Sequence, residues 1–144
     1  MENKNANEEI SILLLFSSFI FLTNVLTTFY KKYYIYCFLF LGLTVTSVLF
    51  HYHTNIYTNL VDKLFILSIV FYGGYLLYSK SKTDNQNLIH VLFIIVTFLL
   101  CIFLFFYGYY SNTYCYHPDK CIGNRYHCIL HMISSVGHHL ITFL

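Results

Sequence analysis

The sequence predicts an all-α protein, a polytopic bundle of about five transmembrane helices. Of its 144 residues, 58% are hydrophobic and only 10% are charged, whereas soluble domains average about 45–50% apolar and 25% charged residues. The apolar residues also fall into long runs, and a hydrocarbon core about 30 Å thick needs about 20 apolar residues to cross it as a helix. The runs do not alternate as barrel strands do, and backbone groups in lipid must be paired within their own segment. Helices are therefore expected throughout.

Five segments meet this length, and we expect them to form one transmembrane domain over residues 1–144. They are Ile10–Tyr30, Tyr33–His51, Leu60–Tyr78, Leu88–Tyr107 and Tyr126–Leu144. The polar stretches 79–87 and 111–124 are expected to be connectors. The first nine residues are rich in glutamate rather than positively charged, unlike a secretory signal, so the first helix is expected to remain in the mature protein.

Charge excludes one class of function and suggests an orientation. A formal net charge of +2 provides no basic field for nucleic acid. Basic residues favour the cytosolic side of membrane helices. They follow the first and third helices, as Lys31, Lys32, Lys80 and Lys82. We therefore expect an endomembrane protein of the ER or Golgi, with a lumenal N-terminus and a cytosolic C-terminus.

Two cysteines, Cys115 and Cys121, lie in the loop that this orientation makes lumenal. A disulfide between them would suit an oxidising compartment. Two free thiols in a loop are the alternative, and the sequence leaves both open.

Ionisable and polar residues inside membrane helices are rare and point to function. Ser47 and His51 are four residues apart, on one face near the end of the second helix. Asp62 lies near the start of the third helix, and His127 and His131 share a face at the start of the fifth. An up-and-down path brings these three helix ends to the same side of the membrane, so we expect the five residues to lie at a similar depth.

A zinc site is the chemistry that best accounts for this set. Two histidines at i and i+4 can bind one zinc ion and a third histidine can complete a catalytic site, whose fourth position holds water. We therefore interpret His51, His127 and His131 as ligands. Asp62 would be a general base, and Ser47 would hydrogen-bond the water or the developing oxyanion.

Each of these residues also has a structural interpretation. Ser47 could bond back to its own helix, as membrane serines often do. Asp62 could pair with Lys63 or cap its helix, and the histidines could serve helix–helix hydrogen bonds. His53 faces elsewhere and is expected at the membrane interface. His138 lies about 10 Å further along the fifth helix, outside any shared metal shell.

The pattern resembles the membrane hydrolase superfamily of alkaline ceramidases, Per1-like lipid remodelling proteins, and PAQR and haemolysin-III-like proteins. The motifs that carry the resemblance are S-x-x-x-H (Ser47, His51), an aspartate in the next helix (Asp62) and H-x-x-x-H (His127, His131). The spacing from His51 to Asp62 is closest to that of ceramidases and Per1-like proteins. The resemblance implies three zinc-binding histidines, with the serine and the aspartate serving the water.

Two departures from that superfamily matter. Its members have seven helices, so this chain would be a reduced form, although loss of a helix pair preserves the side from which the last helix enters. Ceramidases also have an acidic N-terminal calcium site. Glu8 and Glu9 fall in that region, but the surrounding motif is absent, so the sequence does not predict calcium.

The sequence therefore favours a zinc-dependent intramembrane lipid hydrolase that cleaves the amide of a ceramide-like sphingolipid. One alternative is an ester-cleaving hydrolase of lipid or GPI-anchor remodelling. A second is a non-catalytic receptor or scaffold stapled by zinc, which would need Asp62 or His138 as a fourth ligand. A channel is disfavoured, because the fourth helix is almost purely apolar after His90.

Overall fold

The computed structural model describes residues 12–53, 55–83 and 88–144, and five long helices dominate this part of the chain. The helices are α1 (Ile12–Tyr30), α2 (Tyr34–Tyr52), α3 (Ile56–Thr83), α4 (Leu88–Ile102) and α5 (Lys120–Phe143). No strand occurs in the described ranges. The prediction of an all-α helix bundle is confirmed.

Two of these helices contain or continue into irregular turns. α1 is interrupted by a 3₁₀ turn at Ser18–Ile20. α4 continues through a π-helical segment, Phe103–Tyr107, and a last turn, Gly108–Ser111. A short 3₁₀ turn at Tyr114–Tyr116 then leads towards α5.

Four of the helices are long and apolar enough to cross a membrane, which identifies an integral membrane protein. They are α1, α2, α3 and the stretch Leu88–Tyr116 that contains α4. The fifth helix has 24 residues, long enough to cross, but it is not among those four. Its polar residues, including Lys120, Asn124 and Arg125, lower its hydropathy below that of the other helices.

Local hydrogen bonds explain where α3 and α5 begin. The Asn55 side chain accepts from the Thr58 amide at 2.9 Å, and the Asn55 amide donates to the Thr58 hydroxyl at 3.2 Å, a reciprocal cap. α3 therefore begins at Ile56, before the expected Leu60. Asp119 caps α5 by accepting from the Cys121 amide at 2.8 Å.

The helices pack in an order that differs from their order in the chain. α1, α2 and α3 pack in succession, whereas α5 lies against α1, α3 and α4. The apolar core is shared by α1 to α5 and contains Phe21, Tyr36, Phe40, Leu43, Ile69, Leu76, Ile94 and Ile141. α5 thus joins α4 to the packed helices α1 and α3.

Small residues permit the closest helix contacts. A Cβ at Gly137 of α5 would lie 2.5 Å from the Thr97 hydroxyl of α4. A Cβ at Gly73 of α3 would lie 2.7 Å from the Tyr36 hydroxyl, whereas Gly74 faces open space. Small residues at such positions let membrane helices approach one another without a hydrophobic driving force.

A buried amide joins α1 to α5. Asn24 is fully buried. Its side-chain nitrogen donates to the Ser135 carbonyl at 3.0 Å, and its oxygen accepts from the Ser135 hydroxyl at 2.6 Å. This pair fixes the register of the two helices.

Replacing Asn24 with alanine should therefore destabilise the bundle. Two interhelical hydrogen bonds are lost, and each is worth about 0.6 kcal/mol on average in a membrane protein, so a loss of about 1–2 kcal/mol is expected. Unfolding of the purified protein in mixed micelles would measure it. Asn59→Ala, at an exposed asparagine of α3, is the matched control and should change stability little.

Candidate metal centre

Three histidines meet at one end of the bundle. Each of His51, His127 and His131 offers a ring nitrogen, and the three nitrogen atoms lie within 4.8 Å of one another. The ring centroids are separated by 5.1 Å for His51 and His127, 5.5 Å for His51 and His131, and 4.9 Å for His127 and His131. The three histidines that the sequence interpretation groups as ligands therefore lie close together in the structure.

The helix positions explain how the cluster forms. His51 lies in the last turn of α2. His127 and His131 lie one turn apart on the same face of α5, in its second and third turns. The C-terminal end of α2 and the N-terminal end of α5 lie on the same side of the bundle. The up-and-down path of the chain therefore brings the three rings together.

The cluster has the donor set of a metal centre. Imidazole nitrogen is a common zinc ligand at about 2.0–2.1 Å, and tetrahedral geometry then places ligand nitrogens roughly 3.4 Å apart. The histidine nitrogens, at up to 4.8 Å, would have to approach one another by up to about 1.4 Å, which side-chain rotation can supply. The three histidines therefore fit one small metal ion.

His131, the most buried histidine of the cluster, is in contact with α1. His131 is only 7% exposed, and its ring lies 5.2 Å from that of Phe21. The Ser17 hydroxyl is 2.8 Å from His131 Nδ1. Sequence reasoning missed Ser17, although a run of polar residues in an otherwise apolar helix was the available signal: Ser17, Ser18, Thr23, Asn24, Thr27 and Thr28.

Ser47 lies one turn before His51 and bonds across to α1. It is 2% exposed, and its hydroxyl is 2.9 Å from that of Ser18. Two paired hydroxyls carry two protons, and only one of them is used in their mutual bond. The pair therefore retains one O–H that can donate to a third group.

Asp62 is also buried at this end of the bundle. It is 4% exposed and lies in the second turn of α3, so it does not cap that helix. One carboxylate oxygen accepts from the Thr46 hydroxyl at 3.4 Å, and the other lies 3.8 Å from Lys63 Nζ. The alternative interpretation of Asp62, as an ion-pair partner of Lys63, thus accounts for one of the two contacts of its carboxylate.

Lys63 is a further charged group that the sequence reasoning gave no role at the site. Its ammonium lies 5.8 Å from the centre of the Phe50 ring, and 5.0 Å from that of Phe105 on the extension of α4. The Phe50 ring in turn lies 5.2 Å from that of His51. Contacts with two aromatic faces and a carboxylate hold this cation beside the cluster.

The other histidines of α5 are engaged elsewhere. His138 Nδ1 is hydrogen-bonded to the Tyr36 hydroxyl. His139 bonds the hydroxyls of Thr23 at 2.9 Å and Thr27 at 3.1 Å. His138 and His139 are therefore not members of the cluster, as the sequence predicted for His138.

A groove of about 200 Å³ opens next to Asp62 on the outside of the bundle. It lies between α2 and α3 and is lined by Thr46, Leu49, Tyr57, Thr58 and Val61. Thr46 is the residue whose hydroxyl bonds the Asp62 carboxylate. Thr46 therefore connects the groove to Asp62, which does not itself line it.

Three further sets of residues singled out in the sequence lie outside the histidine cluster. All five cysteines, including Cys115 and Cys121, have free thiols in the structure. His53 is exposed at the end of α2, as expected for an interfacial residue. Glu8 and Glu9, considered for calcium, lie outside the described residues.

Comparison of the chain with protein-family models, curated proteins and solved structures finds no match.

The geometry predicts that the purified protein binds about one divalent transition metal ion per chain. Metal analysis of the protein in detergent, after incubation with zinc and removal of the excess, would measure it. The double variant His127→Ala/His131→Ala should lose the ion, because one imidazole cannot hold it. His53→Ala, which removes an exposed histidine outside the cluster, should retain it, and equal metal content in all three proteins would refute the site.

Proposed function

We propose that this protein is a zinc-dependent intramembrane hydrolase that cleaves the amide bond of a ceramide-like lipid. The observation that carries the proposal is the set of three buried or half-buried histidines, within the described residues, whose nitrogens converge. Structural zinc sites use four protein ligands, whereas catalytic sites use three and keep one position open. A zinc ion bound here would activate a water molecule for attack on a carbonyl carbon.

Asp62 is proposed as the general base. It is buried at the histidine end of the bundle, and its neighbour Lys63 contacts Phe50, which adjoins His51. A carboxylate accepts a proton from the attacking water and passes it to the leaving nitrogen. The Thr46 hydroxyl and the Lys63 ammonium keep the carboxylate oriented while it does so.

Ser47 is proposed to stabilise the oxygen that becomes negatively charged. When Ser18 donates to Ser47 in their mutual bond, the Ser47 O–H remains available to donate to a third group. A donor that is already fixed before the reaction stabilises developing charge without reorganisation. Ser18 thereby assists, because it sets the direction in which the Ser47 hydroxyl points.

The substrate is proposed to be a membrane lipid that enters laterally. The site lies among membrane-spanning helices, and the groove beside Asp62 opens on the outside of the bundle. A lipid whose acyl chain lies in this groove would place its linkage near the carboxylate. An ester of a lipid anchor has the same carbonyl chemistry and remains the alternative substrate.

The resemblance in motifs to alkaline ceramidases and Per1-like proteins supports the same reading. It covers Ser47, His51, Asp62, His127 and His131. On this proposal the chain is a reduced, five-helix member of that superfamily. Its place is an ER or Golgi membrane, with the N-terminus in the lumen and the C-terminus in the cytosol.

The variant Asp62→Asn tests the proposed base. It should retain zinc, because Asp62 is not a ligand, yet lower turnover by roughly 10²–10⁴-fold through loss of general-base catalysis. Hydrolysis of a fluorescent ceramide and of an ester-linked analogue in detergent would measure it and distinguish the substrates. Asp119→Asn is the matched control, since asparagine also caps a helix. Normal turnover by Asp62→Asn would exclude this role, and a zinc-loaded wild-type protein inactive on both substrates would favour a scaffold.

The variant Ser47→Ala tests the proposed oxyanion donor. Turnover should fall on the order of 10²-fold, as when a single oxyanion donor is removed from other hydrolases, while zinc content stays constant. Ser68→Ala, at an exposed serine of α3 whose hydroxyl bonds the Leu64 carbonyl, should behave as wild type. If the two serine variants have the same turnover, Ser47 has no part in the reaction.

A further inference from the structure

The Ser17 hydroxyl of α1 bonds three groups, the Leu14 carbonyl, the His131 ring and the Cys128 thiol, and the first two of these bonds are short. It is 2.6 Å from the Leu14 carbonyl oxygen and 2.8 Å from His131 Nδ1. A carbonyl oxygen can only accept, and a serine hydroxyl carries one proton. That proton is therefore used in the bond to Leu14, so the hydroxyl oxygen must accept the N–H of His131 Nδ1.

This bond decides the tautomer of His131. A neutral imidazole carries its proton on one nitrogen only, and the other nitrogen then has the lone pair. With the proton on Nδ1, the lone pair lies on Nε2. Only a nitrogen with a lone pair can bind a metal ion, and metal-binding histidines almost always donate their other N–H to a fixed acceptor.

We propose that Ser17 is a positioning residue for the metal centre, which holds His131 with its proton on Nδ1 so that Nε2 is free to bind the ion. This inference rests on the proposed metal site and adds a residue of α1 to it. The structure places the ligands on α2 and α5, so Ser17 makes α1 a functional part of the centre. His131 is the most enclosed of the three ligands, which makes its orientation the most dependent on a protein partner.

The register of α1 against α5 is also fixed by contacts outside the histidine cluster. Along α5, the residues that face α1 recur at every turn: His131, Ser135 and His139. The Asn24–Ser135 and Thr27–His139 hydrogen bonds hold α1 in register further along the bundle, at 3.0 and 3.1 Å. Removing the Ser17 hydroxyl should therefore leave the helices packed and affect only the groups that it bonds, among them His131 and Cys128 of α5.

The first test is made on the full-length protein without metal. Nitrogen-15 NMR of histidine-labelled protein in micelles distinguishes a protonated Nδ1 from a protonated Nε2. Wild-type His131 should show the proton on Nδ1, and Ser17→Ala should show a mixture of the two tautomers. The proton on Nε2 in the wild type, or an unchanged tautomer in Ser17→Ala, would overturn the proposal.

The second test is zinc affinity, measured by competition with a chromophoric chelator. Ser17→Ala should bind zinc about 10–100-fold more weakly, the usual effect of losing such a hydrogen-bond partner. Ser17→Thr should restore affinity, because a threonine hydroxyl in a helix can also bond a preceding carbonyl, and Ser68→Ala is the matched control. If Ser17→Thr binds zinc as weakly as Ser17→Ala, the effect is due to packing and the proposal is rejected.

The two tests also separate this inference from the proposed function. If the wild-type protein binds no zinc, the metal centre fails, whereas the tautomer measurement still reports directly on Ser17 and His131. If the wild-type protein and the Ser17 variants bind zinc equally, the metal centre stands and the role of Ser17 is rejected.

Discussion

A hydrocarbon interior offers no hydrogen-bond partners, so a polar side chain within the bundle must find its partner in the protein, on its own helix or on another. α5 has the most partners of this kind, since it is in polar contact with residues of three other helices. Its contacts are with Ser17, Asn24 and Thr27 of α1, Tyr36 and His51 of α2, and Lys80 of α3. The apolar helices are therefore arranged around one polar helix, and the histidine cluster is one part of this polar interface.

The need for partners on neighbouring helices also explains why five helices are enough to build the candidate site. Two helices supply the three histidines, α2 and α5, and α1 provides the hydroxyls behind them. α3 contributes the carboxylate and the lysine. The extension of α4 adds only the aromatic face of Phe105. A five-helix bundle thus contains every residue that the proposed chemistry uses.

Much of this arrangement could be predicted from the sequence, because it follows from two simple periodicities. Runs of about 20 apolar residues fix the helices, and spacing by four residues fixes which side chains share a face. The parity of an up-and-down path then places His51 beside His127 and His131. The start of α3 was less predictable, since the reciprocal cap of Asn55 and Thr58 extends the helix into a polar segment.

The partners of the predicted residues could not be obtained in this way. Ser17 and Ser18 belong to no motif, and their role depends on which face of α1 meets α5, a property of packing rather than of local sequence. Similarly, nothing in the spacing indicates that Lys63 lies between two aromatic rings. Pairwise contacts between distant helices depend on interaxial distance and rotation, which hydropathy does not encode.

The composition of α5 has a consequence for how the protein is made. A helix outside the four that are apolar enough to cross a membrane partitions poorly into lipid by itself, because each polar side chain costs free energy at the bilayer centre. Its partners on α1 and α2 precede it in the chain, so they are already synthesised when α5 emerges from the ribosome. We therefore expect the translocon to release α5 into the bilayer together with these helices, as an assembly step rather than as an independent insertion.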